Sequence, residues 1–508
     1  MGLTTNLFFL FVSICVILYY VIPVRFRWIV LLVASYFYYT FINVGAALFL
    51  IASTLITFLS GLKIDRINSA EEDRAKARSR AKGILLLSLF LNLGILAVLK
   101  YTGFVLVNIN NLFGANISIP QLILPLGISY YTFQSVGYVL DVFWNRTSAE
   151  NNLFKYALFV SFFPQLVQGP IGRYDKLRDQ LIGGNTFDIE NIKYGISRIV
   201  WGLFKKMVLA DWASVYREAI FNDPDSYAGI AIFGVLFYSV ELYGNFSGGI
   251  DIVIGVARLF GVRLDENFNQ PFFSISVGNF WQRWHITLGS WMKDYVFYPL
   301  SRARWMKQIG KKAKKVFGKR TGTLIPVAIS NIVVFLIVGV WHAADWGTIC
   351  WGLYNGLIIA ISTLLANVYA KGKSALHIND QSKGWRVFMI LRTFALINIS
   401  WYFDCSDSFG KAFKMIGYSV TRFDLSQFMN ISAGKLGTAY TPYALLTIGL
   451  GVVLLFIVGV IREKGINPVE KLSSVSPILH YAVIFLLLIC IPLFAPMAEL
   501  RGFLYAQF

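Results

Sequence analysis

The stretch TLIPVAISNIVVFLIVGVW (323–341) holds nineteen residues and no charge, and it ends against His342. A helix rising about 1.5 Å per residue carries such a run roughly 28 Å, close to the depth of a bilayer's hydrocarbon core. Comparable runs fall at 3–22, 26–42, 44–62, 83–99, 153–168, 192–212, 347–369, 385–403, 441–461 and 478–494. Further apolar stretches at 103–113, 122–140, 227–243 and 249–260 are short or cut by Gly, Asn and Pro, and some read as re-entrant or interfacial helices. Broken backbone at membrane depth survives only inside protein or beside a wet cavity, so a functional interior is expected in the middle of the chain. The expected fold class is an all-α polytopic membrane protein of about 11–13 spans, built as one membrane-embedded domain over 1–508.

Composition excludes the main alternatives. Among 508 residues, 56% are hydrophobic and 14% charged, and the mean hydropathy is +0.60, which argues against several soluble domains. Lys and Arg number 46 against 27 Asp and Glu. That excess lies between apolar runs rather than along a soluble face, so nucleic acid is not an expected partner. The four cysteines show no CxxC spacing, and Cys15, Cys350 and Cys490 sit in apolar stretches, so neither a metal site nor a disulfide framework is expected. The first basic residue, Arg25, follows the first apolar run, so no cleavable secretory signal is expected. No repeat, HExxH, GxSxG or GxxxxGK[ST] pattern occurs.

Orientation follows the Lys and Arg bias of cytoplasmic loops. Residues 63–82 carry seven basic and four acidic side chains, and 301–321 carry nine basic and no acidic ones. Both are assigned to the cytoplasm, which puts the N-terminus outside, Arg25 and Arg27 inside, and 404–440 outside. The closing FLYAQF (503–508) falls at the outer face or interface. The basic loops suit anionic membrane lipids or an acidic cytosolic partner.

The chemistry narrows to two Trp-His pairs. Only four histidines occur; His377 lies in a polar loop and His480 opens the last span, and both read as incidental. Trp284-His285 and Trp341-His342 lie in a region where residues 281–351 hold seven of the 13 tryptophans. His342 ends an apolar span toward its outer end, and Asp345 would face it one turn on if the helix continued. A neutral imidazole in an apolar pocket is a competent general base; the residues alone favour a structural histidine bonded to a carbonyl. In NFWQRWHITLGSWMKDYVFYPL (279–300), one continuous helix would stack Arg283, Thr287, Ser290 and Asp294 on one stripe, and Trp281, His285, Leu288 and Met292 on the opposite one.

Six pieces of the chain, in one order, resemble the membrane-bound O-acyltransferase superfamily. They are LPLGISYYTFQSVGYVLDVF (124–143), FFPQLVQGPIGRYDKL (162–177), FYSVELYGNFSGGIDIVIGVARLFG (237–261), ENFNQPFFSISVGNFWQRWHITLGSWMKDYVFYPL (266–300), VGVWHAADWGTICWGLYNG (338–356) and FLYAQF. The likeness is nearest to the membrane subunits of bacterial alginate and exopolysaccharide O-acetyltransferases. Ala343 departs from the glycine usual in that family, which bears on pocket shape and acyl size.

The resemblance implies a helical membrane enzyme around a central funnel or tunnel, with His342 catalytic and His285 on the donor side. Trp341, Trp284, Asp345, Arg283 and Arg173 are the expected substrate-contacting or tunnel-lining residues. It implies transfer of an acyl group, acetyl by the nearest likeness, from acetyl-CoA or an acylated carrier protein to a hydroxyl of an exopolysaccharide or cell-wall polymer, in the cell membrane, with no bound cofactor. The implied partners are an extracytoplasmic SGNH-hydrolase-like acetyltransferase or a polysaccharide synthase complex, with a cytosolic acyl carrier. The competing readings are a teichoic acid D-alanyl transferase, a transporter or flippase, and a scaffold for a synthase.

Overall fold

The computed structural model describes residues 1–71, 73–431, 437, 440–497 and 501–503. Among the described residues, eight helices are long and apolar enough to cross a membrane: Val44–Ala70, Ala75–Phe113, Ala228–Leu259, Arg304–His342, Trp346–Leu364, Lys383–Asp404, Thr441–Glu463 and Pro477–Phe494. Asn6–Val21 is a shorter apolar helix. Extended pairing among these residues is limited to one isolated bridge, Phe268 to Trp284.

Several expected boundaries move, each for a local reason. The apolar stretches 227–243 and 249–260 form one helix through Ala231–Leu259. Its Gly249 permits a close approach, since a Cβ there would meet the Gln168 amide at 2.6 Å. Residues 153–168 do not span as one helix: they break into Leu153–Ser161 and Phe163–Leu166, with Pro164 in the first turn of the second. The run 192–212 becomes Ile189–Leu203, a π-helical turn Phe204–Ala210, and Asp211–Asn222. The basic segment 63–82 is not an open loop. Val44–Ala70 runs into it, and Arg74–Phe113 leaves it with the Asp73 carboxylate accepting from the Ala75 and Lys76 N–H groups.

The basic segment 301–321 is helical as well. Arg304–His342 turns back at Gly318, whose φ of 80° and ψ of 164° leave the helical region. The basic arm then lies against the apolar arm so closely that a Cβ on Gly322 would stand 2.3 Å from the Lys314 nitrogen. Of the segment 404–440, the described part contains the helix Phe409–Thr421, capped by Ser408, and a 3₁₀ turn Leu425–Asn430. Ala412 and Met415 of that helix are buried while Phe413 and Val420 are exposed, the pattern of a helix lying in an interface. Residues 432–436, 438 and 439 lie outside the described residues, as does all of FLYAQF beyond Phe503.

The chain divides into two compact units: Met1–Gly202 with Gly249–Glu266, and Leu203–Gly248 with the described residues from Asn267 onward. The first unit has an aromatic core in which Tyr138, Tyr156, Phe159 and Tyr174 pack at 4.5 to 6.3 Å between ring centroids. Tyr174 donates to the Glu150 carboxylate at 2.6 Å, and Arg178 approaches the same oxygen at 3.2 Å. Buried Arg198 is charge-paired with Asp251 and with Glu266, as a guanidinium out of water requires. In the second unit, a seam of small residues joins 319–342 to Trp346–Leu364. A Cβ on Gly339 would meet the Thr348 carbonyl oxygen at 2.5 Å, and one on Gly352 the Phe335 carbonyl oxygen at 2.4 Å. Such backbone contact gives membrane helices dispersion that lipid cannot match, and it fixes where each helix end projects.

Candidate active site

The site lies in the second unit, where two helix ends meet a broken helix. His342 is the last residue of Arg304–His342; Ala343 is extended, at φ −147° and ψ 156°. The helix does not continue, so Asp345 does not sit one turn further along it. Asp345 begins the next helix instead: its Oδ1 accepts from the Thr348 N–H at 2.9 Å, and its Oδ2 receives the Thr348 hydroxyl at 3.1 Å. That is an N-cap, and it fixes the short turn from His342 to Trp346.

His285 occupies a second interruption. The stretch read as one helix is two, Val277–Arg283 and Ile286–Met292, with His285 between them at φ 48° and ψ 52°. A non-glycine residue in the left-handed region is uncommon and persists only where its surroundings impose it. The segment 267–269 does so. Asn269 N–H donates to the Arg283 carbonyl at 2.9 Å, Ile286 N–H to the Asn267 carbonyl at 3.0 Å, and the Thr287 N–H and hydroxyl both reach Asn267 Oδ1, at 2.9 and 2.7 Å. The two-stripe pattern expected for 279–300 therefore does not form.

The break turns the His285 ring inward. It is 3% exposed, edge-on to Phe246 at 4.8 Å and 6.2 Å from the Trp341 ring. Burial pushes its pKa well below the ordinary histidine value, and the nearby His342 ring lowers it further, so His285 is neutral at physiological pH. The Trp341 ring is also 4.9 Å from His342, so one indole lies beside both imidazoles.

Around them stands a wall of tryptophans. Trp351 meets His342 edge to face at 5.3 Å, stacks on Trp401 at 6.2 Å and receives the edge of Trp281 at 5.2 Å. Trp281 donates its indole N–H to Asn355 Oδ1 at 3.0 Å. Trp284 packs at 5.9 Å from Trp401 and 5.0 Å from Phe268. The indole N–H groups of Trp351 and Trp401 are buried and find no hydrogen-bond partner among the described residues. A half-buried imidazole, a neutral buried one and an open N–H donor in an apolar wall can accept a proton and stabilise a developing oxyanion.

Of the residues expected from sequence, His342, His285, Trp341 and Trp284 come together here, and Asp345 serves the turn beside them. Arg283 is ion-paired with Glu463 and donates to the Gln270 carbonyl at 3.3 Å, which ties the broken helix to the end of Thr441–Glu463. Arg173 belongs to the other unit, where it stands 3.9 Å from Asp141. Sequence reasoning missed Trp351, Trp401, Asn267 and Asn355. The tryptophan-rich window contained Trp351, but no local signal marks Trp401 or Asn267, because their partners are distant in sequence.

The model of the membrane-bound O-acyltransferase family matches residues 145–401, half of the chain and all of this site. The chain belongs to that family. It is an O-acyltransferase and a multi-pass membrane protein. The acyltransferase is similar to a probable alginate O-acetylase AlgI of Azotobacter vinelandii, at 32% identity over 82% of this chain and 77% of the relative. It is similar to a peptidoglycan O-acetyltransferase of Helicobacter pylori, also at 32%, over 77% of this chain and 72% of the relative. A teichoic acid D-alanyltransferase of Bacillus subtilis is 29% identical over 47% of this chain and 59% of its own.

Proposed function

We propose that this acyltransferase moves an acetyl group from a cytosolic thioester, acetyl-CoA or an acylated carrier protein, to a hydroxyl presented outside the cell membrane, for O-acetylation of an exopolysaccharide or cell-wall polymer. The observation that carries this reading is His342, half-buried at the end of an apolar helix beside Trp351, with neutral His285 next to the same Trp341 ring. In the proposed step the acceptor O–H gives its proton to the His342 imidazole as its oxygen bonds to the thioester carbonyl carbon. The C–S bond then breaks, and the thiolate leaves with that proton. The Trp351 N–H and the His285 ring supply the polar surroundings for the carbonyl oxygen.

A passage for the acyl group alone has a physical advantage. Coenzyme A is multiply charged, and each charge at the bilayer centre costs at least about 2.5 kcal/mol. An uncharged arm entering from the cytoplasm avoids that cost. The Lys and Arg distribution supports an N-terminus outside and the basic arm 304–317 inside, against anionic lipid or an acidic carrier. An extracytoplasmic SGNH-hydrolase-like transferase, or a synthase complex, takes the acetyl group onward in this reading. Acetyl rather than D-alanyl is favoured because the named O-acetylases match 77% of this chain or more, against 47% for the D-alanyltransferase.

The test is His342→Ala in membranes supplied with radiolabelled acetyl-CoA and the polymer machinery. Normal insertion with loss of polymer acetylation is expected. Persistent acetylation would overturn the assignment, and loss of solute movement in its place would favour a carrier.

A further inference from the structure

The basic arm of Arg304–His342 carries charge that nothing beside it answers. At about 100° per residue, Arg304, Lys307, Lys311, Lys312, Lys314 and Lys315 share one face roughly 160° wide, and all of them are exposed. Met306, Gly310 and Ala313 lie on the opposite face and are buried. No acidic residue occurs in 301–321, and none of these cationic side chains has an ion-pair or hydrogen-bond partner among the described residues. Less exposed cations of the same unit are answered: Lys206 pairs with Asp211, Arg217 with Glu241 at 2.8 Å, and Arg283 with Glu463. A cationic row about 17 Å long is left without counter-charge.

The fold sets that row beside a membrane span. At Gly318 the chain doubles back, so that a Cβ on Gly310 would lie 3.1 Å from Pro326 Cγ, just as one on Gly322 would press on Lys314. Pro326 lies inside the uncharged run 323–341. The cationic face therefore flanks the first turns of the apolar span instead of standing on a loop clear of the bilayer. A bare charge beside hydrocarbon is costly, and the flexible Lys and Arg stems relieve it by carrying their heads to the phosphate layer. Trp305, 51% exposed, opens the arm, and an exposed indole next to a span suits the same layer.

We propose that this face of 304–315 is a docking site for anionic phospholipid headgroups, with their phosphates seated along the lysine row. Phosphate complements an all-cationic face. The seat beside the span favours lipid over an acidic cytosolic protein, the other partner that charge alone would allow. Topology asks only that such charges lie on one side of the membrane; a one-sided helical face packed along the span adds a fixed surface on which lipid is ordered. The site lies wholly in the second unit and involves neither the acyl donor nor His342.

The test titrates the full-length protein in neutral detergent with phosphatidylglycerol and with phosphatidylcholine of the same acyl chains, and counts bound lipid by native mass spectrometry. Phosphatidylglycerol is expected to bind at least tenfold more tightly, since each Lys or Arg near an anionic surface contributes roughly fivefold, and added salt should shrink the preference. Lys307→Gln, Lys311→Gln, Lys314→Gln and Lys315→Gln combined should abolish it, whereas the same four positions changed to Arg should keep it. Lys76→Gln with Arg80→Gln removes charges already paired with Glu71 and should leave it intact. Equal affinity for the two lipids in the wild type overturns the proposal. So does a preference that survives the four Gln changes, or one that falls as far with Lys76→Gln and Arg80→Gln. If the four-Gln protein does not fold, the Arg protein and the salt series decide, and a preference indifferent to salt or lost with Arg overturns the proposal. Binding of an acidic carrier protein that the four Gln changes remove, while the lipid preference persists, assigns the face to a protein and overturns it as well. Lipid binding and acetyl transfer are separate measurements, so this site and the proposed function can each fail alone.

Discussion

The His342 and Trp351 rings meet edge to face, with centroids 5.3 Å apart and planes at 89°, and the Trp351 indole N–H is buried without a hydrogen-bond partner among the described residues. The indole thus does two things at once. Its ring holds the imidazole, and its N–H is available to a substrate oxygen. Trp351→Phe separates these, keeping an aromatic ring and removing the donor. Acetyl transfer is expected to fall roughly tenfold or more, by comparison with the loss of one oxyanion donor elsewhere, while the melting temperature in detergent changes little. An unchanged rate would confine Trp351 to packing.

The carboxylate of Asp345 is taken up by the helix cap at Thr348. Asparagine caps about as well as aspartate, and alanine costs about 1 kcal/mol. Asp345→Asn should therefore keep both stability and acetyl transfer, and Asp345→Ala should lower the melting temperature. Were the charge orienting His342, Asn would lose activity while remaining stable, which a rate measurement on purified protein distinguishes.

His285 sits at φ 48°, a conformation that asparagine tolerates and alanine does not. His285→Asn should unfold near the wild-type temperature, and His285→Ala should be less stable by about 1–2 kcal/mol. Both lose the imidazole. Equal loss of transfer in the two variants assigns the effect to the ring; loss in Ala alone assigns it to the backbone break.

Glu150 gives a pH dependence with a definite sign. Burial raises its carboxyl pKa, but hydrogen bonds from Tyr174, the Asn152 N–H and Arg178 outweigh it and leave the value below the ordinary one. The folded state thus binds this proton less readily than the unfolded chain. Its stabilising contribution is complete above the ordinary carboxylate value and is lost as pH falls through the lower folded value. Thermal melts of wild type and Glu150→Gln between neutral and acidic pH should converge at the acid end.

Much of the site was legible along the chain. The uncharged run before His342 located a helix end, and tryptophan density located the neighbourhood of His285. The relation between them was not, because it depends on a helix break. Nothing within 279–300 announces that the helix stops at Trp284; the stop is imposed by Asn267 and Asn269 from a preceding segment. Asp345 was misplaced for the same kind of reason, since three residues separate helical neighbours only while the helix persists. Arg283 was expected near substrate from the family resemblance, and its ion-pair partner, Glu463, lies far along the chain.

Solvent preference is a property of composition and run length, so the amino-acid order alone established a membrane-embedded helical protein, its basic and apolar segments, and the two Trp-His pairs. Which residues share a pocket depends on backbone contacts between distant segments. Gly352 against Phe335 and Asn267 against Thr287 are both of this kind. Packing and hydrogen bonding act through space, with no imprint on local periodicity, and so only the folded chain decides them.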